Sequence, residues 1–234
     1  MKIALLDLTE HPEPLLAGLP RVAAQIITWL APALPEATFI AHDVANDNAP
    51  LPDPADFDGL LLSGSERGVY DPIPWITPLR GLLAATRAAG KPIFGICFGH
   101  QIMADTFGGK AEKSDAGEHV GARRFTCGDT AIDAHVWHKD QVTEIPPGAT
   151  VTASAPYCPV AALDYDFPAA SVQFHPEYTE TQLRALWDRF RDDLVPAEIC
   201  DAAIASLQDT DVKIDLHARE TAAFFRQHVP QGHP

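Results

Sequence analysis

Between Lys91 and Gly109 an apolar run, Ile93–Cys97, ends in a cysteine set between Gly95 and Gly99, and a helix-like segment follows. Small residues on both sides let a chain turn sharply and approach other backbone closely. The segment therefore reads as strand, tight turn and helix, the cysteine form of the elbow that presents a nucleophile. A helix starting after Cys97 aims free N–H groups and a positive dipole end at the sulfur. That favours thiolate, the reactive form, over thiol.

The first half of the chain repeats this alternation. Lys2–Leu8, Thr38–Val44, Gly59–Leu62 and Ile93–Cys97 are apolar strand candidates. Leu15–Leu30 and Pro78–Ala89 carry helical spacing, and Pro50, Pro52 and Pro54 mark a loop. Strands separated by helices predict an α/β fold with a doubly wound, mostly parallel sheet. Sites in such sheets lie at the carboxyl ends of strands, where both Gly64 and Cys97 fall. From residue 117 the texture changes. Val120–Thr126, Ile132–Trp137, Thr150–Ala155, Val160–Tyr165 and Ala170–Phe174 are short strands joined by turn residues, an antiparallel extension that returns the chain to His175. Helices are predicted at 180–194, near 197–207 and at 215–228, with a frayed tail from Pro230.

The last of those strands delivers a base. His175 ends it, Pro176 stiffens the link, and Glu177 follows. Thiol, imidazole and carboxylate supply attacker, proton carrier and orienting group. A buried strand-end cysteine, a satisfied histidine and a surface carboxylate are the plainer readings of each residue alone. The three together outweigh them.

Four ordered matches carry a family resemblance. They are Leu61-Leu62-Ser63-Gly64-Ser65 with Val69-Tyr70-Asp71, then Gly95-Ile96-Cys97-Phe98-Gly99-His100-Gln101, then Trp137-His138-Lys139-Asp140-Gln141-Val142, then His175-Pro176-Glu177. The set resembles the class I glutamine amidotransferases and spans roughly residues 1–180. The resemblance implies a flavodoxin-like class I amidotransferase fold over 1–194, with 195–234 a helical appendage packed on the same domain. It implies attack by Cys97 on the glutamine side-chain amide, helped by His175 and Glu177. Backbone N–H groups from Phe98 and the Gly64–Ser65 loop would hold the oxyanion. Gln101 and the backbone at Trp137 and His138 would hold glutamine, although Gln101 also reads as a polar residue of a helix's first turn. Neither metal nor organic cofactor is implied.

Two departures stand out. Relatives commonly have Gly-Gly where this chain has Gly64-Ser65, and a stiffer Ser65 would hinder a peptide flip that builds the oxyanion hole. Relatives also carry Glu-x-Gly where Gly117-Glu118-His119-Val120-Gly121 stands here, so the acid is displaced or replaced by His119. Arg67 would meet a substrate carboxylate or be solvated, and Asp140 would tie down a loop.

Composition narrows the partners. The 234 residues carry a formal charge of −15, which argues against nucleic acid and anionic membranes. The start is too short and too soon acidic for a signal peptide, and a cytoplasmic enzyme is the expectation. Cys97, Cys127, Cys158 and Cys200 form no C-x-x-C pair, so neither a zinc site nor a disulfide framework is suggested. His135 and His138, three apart in a strand, should face opposite ways and make a poor metal pair. No ATP-binding loop follows residue 180, so ammonia would pass to a separate synthetase or acceptor protein, or be released. The alternatives are a hydrolase of γ-glutamyl peptides or amines, and a non-catalytic binding subunit.

Overall fold

The structure, a computed structural model, describes residues 1–12, 15–47, 49–115, 117–208 and 210–229. The tail from Pro230 lies outside the described residues. The alternating half forms β1 (Lys2–Asp7), α1 (Val22–Leu30), β2 (Thr38–Asp43), α2 (Val44–Asp47), β3 (Gly59–Leu62), α3 (Ile76–Ala88), β4 (Ile93–Ile96) and α4 (Phe98–Thr106). The second half forms β5 (Lys110–Lys113), β6 (His119–Cys127), β7 (Thr130–His138), β8 (Asp140–Glu144), β9 (Ala149–Ala155), β10 (Cys158–Tyr165) and β11 (Ala169–Val172). Three helices follow: α5 (Glu180–Phe190), α6 (Ala197–Ser206) and α7 (Ile214–His228).

Nine strands make one sheet in the order β2-β1-β3-β4-β11-β10-β9-β6-β7. The stretch from β2 to β11 is parallel, and from β11 onward every pair is antiparallel. β5 and β8 pair separately. The parallel strands are apolar on both faces because helices cover both. In β1, Ala4 and Leu6 face the side packed by Leu79, Leu83 and Phe98 of α3 and α4. Ile3 and Leu5 face α1 and α7, with Ile26, Ala222 and Phe225. This is the period-two alternation of a strand.

The antiparallel ribbon curls back on the parallel half. His175 donates its N–H to the carbonyl of His135 on β7 at 2.8 Å. Helices α5 and α6 cover β6, burying Trp187, Leu183 and Cys200 against Val120.

Two helix boundaries differ from the sequence-based expectation by four residues or more. The first helix begins at Val22, because Pro20 lacks an N–H and drives the residue before it from helical angles. The helix from 180 stops at Phe190 rather than 194. Arg191 leaves helical geometry at ψ 124°, and Asp192 takes a positive φ of 62°. Its start is secured by a capping box between Thr179 and Gln182.

Candidate active site

Cys97 occupies the turn between β4 and α4. Its N–H donates to the carbonyl of Val172 at 2.8 Å, and its carbonyl accepts from Gln101 at 3.1 Å. Those bonds hold it at φ 52° and ψ −101°, a conformation that a non-glycine residue rarely adopts. The flanking glycines make this turn possible by close approach. A β-carbon on Gly95 would stand 2.6 Å from backbone of Gly99, and one on Gly99 would stand 2.9 Å from Leu62.

Gly64, just past β3, closes the space opposite. A β-carbon there would stand 2.9 Å from Cε1 of His175 and 3.5 Å from Cβ of Cys97. The carbonyl of Gly64 accepts from the hydroxyls of Ser63 at 2.8 Å and Thr9 at 2.9 Å. The peptide joining Gly64 to Ser65 is thus latched, and its N–H points away from those hydroxyls because the peptide is trans.

His175 is buried, with Nδ1 2.7 Å from Oε1 of Glu177. That contact leaves Nε2 for the sulfur side. The Tyr178 ring stacks on the imidazole at 4.5 Å. Burial pulls the imidazole pKa down, but the charges of Glu177 and Cys97 outweigh it and raise the pKa to about 10. The neighbouring acidic groups therefore favour the charged form of the ring.

Gln101 lies in the first turn of α4, and its side chain donates to the carbonyl of Asp140 at 3.0 Å and to Oε1 of Gln173 at 3.2 Å. Gln173 in turn donates to Sγ of Cys97 at 3.6 Å. The carbonyl of Trp137 stands 3.8 Å from the same sulfur. His138 is buried and donates from Nδ1 to the carbonyl of Asp140 at 3.1 Å. Its pKa falls to about 3, chiefly through burial and then the charge of His119. Asp140 begins β8, where its carbonyl anchors both Gln101 and His138.

His119 and His138 face each other across β6 and β7, rings 5.5 Å apart, with Tyr157 against His119 at 4.4 Å. Arg67 stays partly solvated at the surface, where it pairs with Glu10 and Glu66. Among the described residues no group of three or more His, Cys, Asp or Glu could hold a metal ion.

Of the residues singled out from the sequence, Gly64, Cys97, Gln101, His175 and Glu177, with the carbonyl of Trp137, come together at the carboxyl ends of β3 and β4, whereas Arg67 and His119 lie outside that cluster. Thr9, Gln173 and Tyr178 were missed. Gln173 had a signal, since it stands two residues before His175 on an extended segment. Thr9 had none, because only the fold brings it to Gly64.

The sequence profile of the glutamine amidotransferase class-I family matches residues 23–190. The chain belongs to that family. Among curated relatives, the glutamine-hydrolysing GMP synthase of Bordetella avium is 40% identical over 150 residues, covering 56% of this chain and 27% of the relative. That of Pseudomonas aeruginosa is 41% identical over 176 residues, covering 64% and 32%. The chain therefore spans about a third or less of these relatives.

Solved class I amidotransferases share the fold. A glutamine amidotransferase from Methylobacillus flagellatus superposes with a TM-score of 0.75 at 20% identity, covering 99% of this chain and 96% of that one. One from Thermotoga maritima gives 0.74 at 17% identity, covering 98% of each. The flavodoxin-like α/β architecture of the family is thus that of this chain, and none of its described helices is long and apolar enough to cross a membrane.

Proposed function

We propose that this family member hydrolyses the side-chain amide of glutamine through a thioester on Cys97. The observation that carries the reading is the convergence of Cys97, His175 and Gly64, with Glu177 bonded to the far side of the imidazole. The sulfur, as thiolate, attacks the amide carbon. The carbonyl π electrons move to oxygen, and the oxyanion rests on N–H groups of Phe98 and of the latched loop at Gly64 and Ser65. The imidazolium of His175 gives its Nε2 proton to the amide nitrogen as the C–N bond breaks, releasing ammonia. His175, now neutral, takes a proton from water, which attacks the thioester. Glutamate leaves, and the thiolate and imidazolium are restored.

Gln101, with backbone at Trp137 and His138, would position the glutamyl group. Their place beside the sulfur supports that role. Glu177 keeps the imidazole oriented and charged. The latch on the Gly64 carbonyl supports an oxyanion loop that is preset, so Ser65 need not flip.

GMP synthase relatives are named for glutamine hydrolysis and nucleotide synthesis. We carry over the first step as this chain's activity and propose a synthetase, separate or covalently joined, as the acceptor of its ammonia. The test is glutamate release from glutamine and from a panel of γ-glutamyl peptides and amines. Release from glutamine that increases with a synthetase partner supports the proposal. Fast partner-free cleavage of a γ-glutamyl amine with poor use of glutamine would replace it with the hydrolase reading.

A further inference from the structure

A buried chain of hydrogen bonds ends on the sulfur of Cys97, and its direction is fixed. The backbone carbonyl of Asp140 can only accept, so the Gln101 side chain turns its nitrogen to it, 3.0 Å away. The second hydrogen of that NH₂ group goes to Oε1 of Gln173 at 3.2 Å. With its oxygen thus engaged, the Gln173 amide presents Nε2 to Sγ of Cys97 at 3.6 Å. One backbone carbonyl therefore decides the orientation of both amides.

The backbones of the two glutamines are pinned as well. The N–H of Gln101 donates to the carbonyl of Cys97 at 3.1 Å, and that of Gln173 to the carbonyl of Ala161 at 2.8 Å. Both side chains are buried. Burying an amide is unfavourable unless its groups are bonded, and an apolar side chain would fill the same space without that penalty. Here the amide stands where its N–H meets the reacting atom. The carbonyl of Trp137, 3.8 Å from the same sulfur, suits a thiol, which can donate to it. An N–H donor suits a thiolate, since hydrogen bonds to an ionised acceptor are the strong ones. Gln173 thus opposes Trp137 and favours the form that attacks.

We infer that the Gln173 amide aims the Cys97 sulfur and favours its thiolate form, and that Gln101 acts on the sulfur by setting which end of that amide faces it. The inference rests on Cys97 as the nucleophile of the proposed reaction. One N–H then serves both halves of that reaction. It restrains the sulfur before attack. It also meets the electron pair that returns to sulfur when water cleaves the thioester and the C–S bond breaks. Of the titratable groups whose charges act on the sulfur, Cys158 on β10 is pushed up to about 12 and Tyr178 well above its ordinary value, both by burial. His175, with Glu177 behind it, is the other neighbour. Substitutions at Gln101 and Gln173 leave all of them in place.

The test is alkylation of the full chain by iodoacetamide as a function of pH, with the Cys97 adduct quantified by mass spectrometry and a thermal melt of each variant. Gln173→Met keeps the length of the side chain and removes the donor. Gln173→Glu keeps the shape and turns an acceptor to the sulfur. The pH of half-maximal alkylation should rise by about one pH unit in Gln173→Met, the roughly tenfold effect of a hydrogen bond to a charged group, and further in Gln173→Glu. Gln101→Met should raise it less. The double variant should match Gln173→Met alone, because Gln101 reaches the sulfur through Gln173. An unmoved profile in the Gln173 variants, whatever their melting temperatures, makes Gln173 a packing residue and overturns the inference. An unmoved profile in Gln101→Met, or shifts that add in the double variant, overturns the directing role of Gln101. Iodoacetamide reads the sulfur without turnover, so failure to hydrolyse glutamine would refute the proposed function and leave these results standing.

Discussion

Gly64 packs directly on His175: a β-carbon at residue 64 would stand 2.9 Å from Cε1 of the imidazole. Gly64→Ala should therefore push the ring from Cys97 and Glu177 while leaving the fold intact. Displacements of this size cost about 10–100-fold in turnover. Steady-state kinetics beside a thermal melt separates the two effects. A normal turnover rate would show that the ring has slack.

The latch on the Gly64 carbonyl gives a milder prediction. Thr9→Val removes one of its two hydroxyl donors. One such bond is worth about 1 kcal/mol, so kcat should fall roughly fivefold with KM little changed. A rise in KM alone would place Thr9 in substrate binding instead.

The charge on His175 can be titrated. Its pKa is lowered by burial but raised more strongly by Glu177 and Cys97, to about 10. A raised folded pKa means that stabilisation is full below the ordinary value near 6.5 and is lost as pH rises through about 10. Glu177→Gln should lower the midpoint seen by ring NMR, because a neutral amide keeps the contact but not the charge. An unchanged midpoint would mean that Cys97 alone sustains the imidazolium.

Two buried histidines predict acid lability. His100 accepts from Ser171 at Nδ1, 2.8 Å away, and donates from Nε2 to the carbonyl of Val160 at 3.1 Å. Burial lowers its pKa to about 4, and burial with the charge of His119 lowers that of His138 to about 3. Both stay neutral in the fold while the unfolded chain binds protons below about 6.5. Stability should thus fall as pH drops from about 6.5 towards 4, by about 1.4 kcal/mol per pH unit for each group. Urea melts across that window check this, and a flat profile would contradict it.

Much of this architecture is legible in the chain itself. The parallel half follows from apolar runs alternating with helical patterns, and the elbow follows from Gly95, Cys97 and Gly99. β5 was not legible, because Lys110-Ala111-Glu112-Lys113 has strand geometry only through its pairing with β8. The start of α1 was overrun because the apolar spacing of Leu15 and Leu19 continues across Pro20. Side chains that act through tertiary proximity alone, such as Thr9 on Gly64 and Tyr178 on His175, leave no local pattern.

The most direct measurement treats the protein with a glutamine-like electrophile and maps the adduct by mass spectrometry, with glutamate release followed in parallel. One adduct per chain on Cys97, lost in Cys97→Ser together with glutamate release from glutamine, is the result this account predicts. Equal labelling of Cys127 or Cys158, or glutamate release that survives Cys97→Ser, would contradict it.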